Sequence, residues 1–311
     1  MQRYVKMAPA AAVFGIALAA CSGGGGTPPA QTTSNLAPTN RHALIENGAV
    51  VPGAHAQTPH VVVGTGVGTQ VAKPANNLLY NGGKVMTFPA IGLVYWGFGA
   101  TGDPDNEIPR LNDFMAHFRA STAMNVVTQY YEIAGGRKYY VPNYPAMSIA
   151  IWKDDTDPLP SSHPSDRDVR NEAVVAKEHF GFGLPGVDNL IIVALPHGLH
   201  VNYAACAYHS WYFDGASTTT YTNLPYQPDF GAGCGSYSVN PGPIGVLDGV
   251  TETVIHEVAE SMTDPYGTAW LDKYGEEIGD KCQQFAANQE FDGKNFPVQP
   301  LWSNATGTCE Y

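Results

Sequence analysis

Asp248-Gly-Val-Thr-Glu-Thr-Val-Ile-His-Glu-Val-Ala-Glu-Ser-Met-Thr-Asp-Pro265 reads as one helix. Asp248 or Thr251 is placed to cap its start, and Val254, Ile255, Val258, Ala259 and Met262 recur at helical spacing. Asp264-Pro265 ends it, because a residue before proline is pushed out of the α region. A helix with an apolar stripe needs a partner layer. Asn189–Leu195 supplies one: a continuous apolar run between turn signals, the pattern of a buried strand. Ile91–Trp96 reads the same way. Strands alternating with helices give an α/β (α+β) class, with helices packed on a central mixed sheet.

Working outward, Lys84–Phe88 is expected as a further strand. Ile108, Leu111, Phe114, Met115 and Phe118 mark a helix over 105–120. Thr122–Tyr131 reads as a second helix and Ser148–Trp152 as a short strand. The next stretch holds Asp154, Asp155, Asp157, His163, Asp166 and Asp168. Its spacing does not match an EF-hand loop, although calcium is an ion such residues can hold. It reads as a solvated acidic loop running into a helix over 165–180. From His197 to Pro243 no clear element is expected, and so long a stretch is usually functional or pinned by disulfides. After the opening helix, a turn at Tyr274-Gly275 separates Trp270–Leu271 from Glu277–Asp280. Short strands close the chain around 296–301, in a small disulfide-bonded C-terminal part.

The chain has 311 residues and a formal charge of −12. Residues 1–20 carry Arg3 and Lys6 before an apolar run too short to span a bilayer, the layout of a signal peptide. Leu18-Ala19-Ala20-Cys21 resembles a bacterial lipobox, which implies cleavage before Cys21 and its lipidation, with Ser22 pointing to the outer membrane. Loss of Arg3 and Lys6 takes the charge from −12 to −14. So acidic a chain is a poor binder of nucleic acid, and only the lipid is expected to hold it to a membrane. Residues 21–75, rich in Gly, Pro, Thr, Ala and Asn, read as a tether, with Val61–Val63 as a short strand within it. Residues 76–311 form the domain. An export signal suits disulfides: Cys206, Cys234, Cys282 and Cys309 allow three pairings, and proximity favours Cys206–Cys234 with Cys282–Cys309. A four-cysteine zinc site is the rival arrangement, although no C-x-x-C pair is present.

The chemistry sits in His256-Glu257-Val258-Ala259-Glu260. His256 and Glu260, four apart, project from one face one turn apart, the H-E-x-x-H metallopeptidase geometry with a carboxylate for the second histidine. A catalytic zinc needs three protein ligands and an open position. His256 and Glu260 supply two, and Asp280 or Glu277 is the candidate third. Glu257 is the candidate general base. No lysine or arginine lies between Gly249 and Leu271 to offset Glu252, Glu257 and Glu260, so a bound cation is the economical explanation. His209 is a candidate polar group of the same cleft. His197 and His200 form a weaker H-x-x-H pair.

Several stretches together resemble the EXORDIUM, or phosphate-induced protein, family: Tyr80-Asn-Gly82, Ile91-Gly-Leu-Val-Tyr-Trp-Gly97, Cys206-Ala-Tyr-His209, Leu247-Asp-Gly249, His256-Glu-Val-Ala-Glu260, Asp264-Pro265, and Glu277-Ile-Gly-Asp280 with Cys282 and Cys309. The likeness spans about residues 77–311. It implies a secreted protein associated with the cell wall or envelope, without a defined activity. Locally, the helix also resembles that of zincin metallopeptidases. The resulting expectation is an exported, lipid-anchored, zinc-dependent hydrolase acting on peptide, protein or cell-wall glycan. The competing expectation is a non-catalytic envelope-binding protein with a structural ion.

Overall fold

The structure, a computed structural model, describes residues 76–311 apart from 120, 146, 160, 200–204, 216 and 284, together with a short backbone ladder pairing Ile45–Glu46 with Ala49–Val50. The expected signal peptide, Cys21, most of the expected tether with Val61–Val63, and His200 lie outside the described residues.

Five strands make the central sheet. They are β1 (Pro89–Trp96), β2 (Ser148–Asp154), β3 (Asp188–Ala194), β4 (Tyr208–Phe213) and β5 (Thr218–Leu224), in the spatial order β2-β1-β3-β5-β4. The first four in that order run parallel, and β4 closes the edge antiparallel to β5. The sheet is mixed and the class is α+β, with helices on both faces.

Strand periodicity explains the layering. Ile91, Leu93 and Tyr95 of β1, with Leu190, Ile192 and Ala194 of β3, face one apolar core; Ala90, Val94 and Trp96, with Ile191 and Val193, face the other. A strand apolar on both faces loses its alternation, which is why these two were readable as continuous runs. Helix α1 (Glu107–His117) and helix α2 (Asp166–Phe180) cover opposite faces. Ser165 and Asp168 cap α2 reciprocally, and Gly181, at φ 68°, ends it in a left-handed turn. Gly92 lets the Phe180 ring approach, since a Cβ there would stand 2.5 Å from the ring.

Helix α3 (Asp248–Thr263) packs on the α1 face, and all sixteen of its residues are buried. No side chain caps its start; Asp248 instead accepts from the amides of Val239 and Asn240 at 2.9 and 2.6 Å. Its C-terminus folds back through Asp264, whose Oδ1 accepts from Thr268 and Ala269. Beyond it, Trp270–Leu271 pairs with Leu79–Tyr80, and two hairpins (Ala287–Phe291 with Lys294–Val298, Leu301–Ser303 with Thr308–Glu310) finish the chain.

Besides the missing Asp248 or Thr251 cap, four local expectations change. Lys84–Phe88 is not a strand: Val85, Thr87 and Phe88 donate their amides to the carboxylates of Glu132 and Asp188 rather than to a neighbouring strand. Residues 122–131 contain a 3-10 stretch, Ala123–Gln129, and then a hairpin, Tyr131–Ala134 with Arg137–Tyr140. The long stretch after His197 contains β4 and β5. The acidic loop is only partly solvated, because Asp154 and Asp166 are buried.

Candidate metal centre

Three elements bring one polar group together inside the apolar layer. Helix α3 contributes His256, Glu257 and Glu260. Edge strand β4 contributes His209, opposite Thr222 in the ladder. The segment 277–280 contributes Glu277 and Asp280. That segment is held from three sides: Trp302 donates its amide to the Ile278 carbonyl at 2.9 Å, Gln299 donates to the Gly279 carbonyl at 3.1 Å, and Cys282 is joined to Cys309. The second disulfide, Cys206–Cys234, ties the start of β4 to the loop before α3. The pairing is the one proximity favours, and it rules out a four-cysteine zinc site.

His256 Nε2 lies 3.0 Å from Glu260 Oε1 and 3.9 Å from Asp280 Oδ1. The Asp280 amide donates to the same Glu260 oxygen at 3.1 Å, so the short segment is locked to the helix. His209 Nδ1 lies 3.3 Å from Glu257 Oε2 and 3.6 Å from Glu260 Oε2. Its Nε2 faces the Asp264 carbonyl at 3.4 Å and Glu277 Oε1 at 3.9 Å. His256 Nδ1 has no hydrogen-bond partner among the described residues and faces Gly279.

The electrostatics are those of crowded charge away from water. Burial alone pushes the His256 imidazole down, but Glu260, Glu257 and Asp280 outweigh it and lift it to about 9. His209 is raised in the same way, with burial opposed by Glu257, Glu260 and Asp264. Burial raises Glu260, although His256 opposes the shift. Burial raises Glu277 well above the usual carboxylate range, with Glu260, Asp264 and Asp280 adding to it. Four carboxylates therefore share one buried space with two imidazoles. Removing such groups from water costs several kcal/mol each unless a positive charge compensates.

A buried His/Glu/Asp group of this kind can hold a metal ion. Two sets of three have donor atoms mutually within 4.8 Å: His256, Glu260 and Asp280, and His209, Glu257 and Glu260. Asp280 thus lies with the helix pair, while Glu277 sits deeper, behind His209. His197 is elsewhere, paired with Asp229 at 2.5 Å. The centrality of His209 was weakly signalled in the sequence, because its partners lie 48 and 51 positions further along. No protein-family model, curated protein or solved structure matches the chain.

Proposed function

We propose that the protein is an exported metal-dependent hydrolase of the zincin type, with zinc as the ion and peptides as the substrate class. One observation carries the reading: His256, Glu260 and Asp280 form a three-donor set, and a third acidic side chain, Glu257, is held beside it by a histidine rather than used up within it. Three protein ligands leave an open coordination position, the mark of a catalytic rather than a structural zinc.

A bound divalent ion supplies Lewis acidity at that position. Glu257 takes the proton of the attacking water and passes it to the leaving amine, and His209 fixes the orientation of the Glu257 carboxylate. The two disulfides suit an oxidising compartment, which agrees with export. The lipobox resemblance adds anchoring through lipid at Cys21, and a cell-wall glycan is the alternative substrate class.

Burial favours a second reading, a non-catalytic envelope-binding protein with a structural ion. The His256, Glu257 and Glu260 side chains are at most 2 % exposed, and Asp280, at 12 %, is the most open of the group. Peptide and glycan panels with the zinc-loaded chain separate the two. The hydrolase reading expects turnover that drops at least a hundredfold in Glu257→Gln while the ion at His256 stays. A zinc-loaded wild type that turns over nothing leaves the structural-ion reading standing.

A further inference from the structure

Glu260 stands between two imidazoles and gives each a different oxygen. Oε1 is 3.0 Å from His256 Nε2, and Oε2 is 3.6 Å from His209 Nδ1. From this geometry we propose that the centre holds two divalent ions, one in the His256, Glu260, Asp280 set and the other in the His209, Glu257, Glu260 set, with Glu260 bridging them. The inference rests on the single-ion reading above for its first ion and adds the second.

Three features support it. Donors about 2.0–2.2 Å from one zinc in tetrahedral array stand roughly 3.3 Å apart. The second set already has that spacing without an ion: His209 Nδ1 lies 3.3 Å from Glu257 and 3.6 Å from Glu260. The His209 ring is also presented the right way round. Its Nε2 faces the Asp264 carbonyl, which only accepts, so Nε2 carries a proton and Nδ1, turned to the two carboxylates, is the nitrogen that can ligate an ion. A backbone carbonyl on the far nitrogen is the usual support of a metal-bound histidine. Finally, a carboxylate with one oxygen turned to each set is the bridge that two-metal hydrolases use, with ions about 3.5–4 Å apart.

With the second ion bound, Glu257 is a ligand; with only the first bound, it is the base. Hydrolysis by the two-ion form then relies on paired Lewis acids rather than on Glu257.

The test is metal content of the purified full chain after dialysis against Zn2+, read by native mass spectrometry. Wild type is expected to carry two ions, and His209→Ala and His256→Ala one each. Glu257→Gln, nearly the same shape as wild type, guards against misfolding of the histidine variants and is also expected to carry one. The Mn2+-loaded wild type should give the electron-spin resonance signature of an exchange-coupled pair, lost in all three variants. One ion in wild type, with none in His256→Ala, overturns the second site and leaves the hydrolase reading intact. No bound ion overturns both, and two uncoupled Mn2+ ions overturn the bridge.

Discussion

Gly279 packs directly against His256: a Cβ at position 279 would stand 2.6 Å from His256 Nδ1. The Gly279 backbone is at φ −80°, where any residue is comfortable, so the glycine is required by space and not by conformation. The ring is held by shape on that side. Gly279→Ala is therefore expected to push the imidazole off the Glu260–Asp280 pair. Zinc affinity measured by competition with a chromophoric chelator should fall at least tenfold, with stability reduced by about 1–3 kcal/mol. An alanine variant that binds zinc as wild type does would show that ring placement is not what the glycine serves.

The elements that were legible in the sequence share a physical property: their own residues carry the signal. Strands β1 and β3 are buried on both faces, and helix α2 and both disulfides also lie within short spans. The hairpin β4–β5 was not legible, because Thr218, Thr219, Thr220 and Thr222 read as polar loop although they are β-branched and mostly buried. Asp214-Gly215 between two β-rich runs was the available hairpin signal. In α3, the sequence showed an apolar stripe and a charged face; it did not show that the charged face would also be buried. That depends on β4 and segment 277–280 closing over it, contacts made at long sequence separation.

The Cys282–Cys309 bridge closes a loop of separation 27 and lies two residues from Asp280. Loop entropy alone gives such a crosslink about 3–4 kcal/mol. The Cys282→Ser, Cys309→Ser double variant should lose about that much in urea unfolding. It should also bind zinc at least tenfold more weakly, because segment 277–280 loses one of its three anchors. A variant that loses stability but keeps full zinc affinity would show that Trp302 and Gln299 suffice to hold the segment.

Glu172 lies away from the centre, on the sheet-facing side of α2, 2 % exposed and with neither carboxylate oxygen hydrogen-bonded among the described residues. Burial, with Asp154 and Asp157 adding to it, pushes its carboxyl up to about 8 from an ordinary 4.5. The folded chain thus keeps a proton that the unfolded chain releases. The associated stability is fully present below about pH 4.5 and is lost as pH rises through about 8. Glu172→Gln, which cannot ionise, should melt higher than wild type at pH 9 by several degrees, for a gain of about 1–3 kcal/mol, and should differ little at pH 5. Thermal melts at the two pH values check this; an equal shift at both would mean that packing, not ionisation, is the cause.

Glu277 separates the stabilising from the ion-holding part of the centre. It is fully buried beside Glu260 and Asp280, and burial with the charges of its neighbours pushes its carboxyl well above the usual range, yet it belongs to neither three-donor set. With an ion present, a charge on Glu277 is compensated; with the ion removed, the group either takes up a proton or repels its neighbours in a medium that screens poorly. Chelation should therefore lower the melting temperature of wild type by roughly 10 °C, since an ion present at a thousandfold its Kd contributes about 4 kcal/mol. Glu277→Gln should keep its ion content, lose less on chelation and melt above wild type once both are stripped. Scanning calorimetry with and without chelator gives all four values. If chelation shifts nothing and Glu277→Gln destabilises both states, the carboxylates are compensated by protons and the two histidines alone, and the group is not a metal centre.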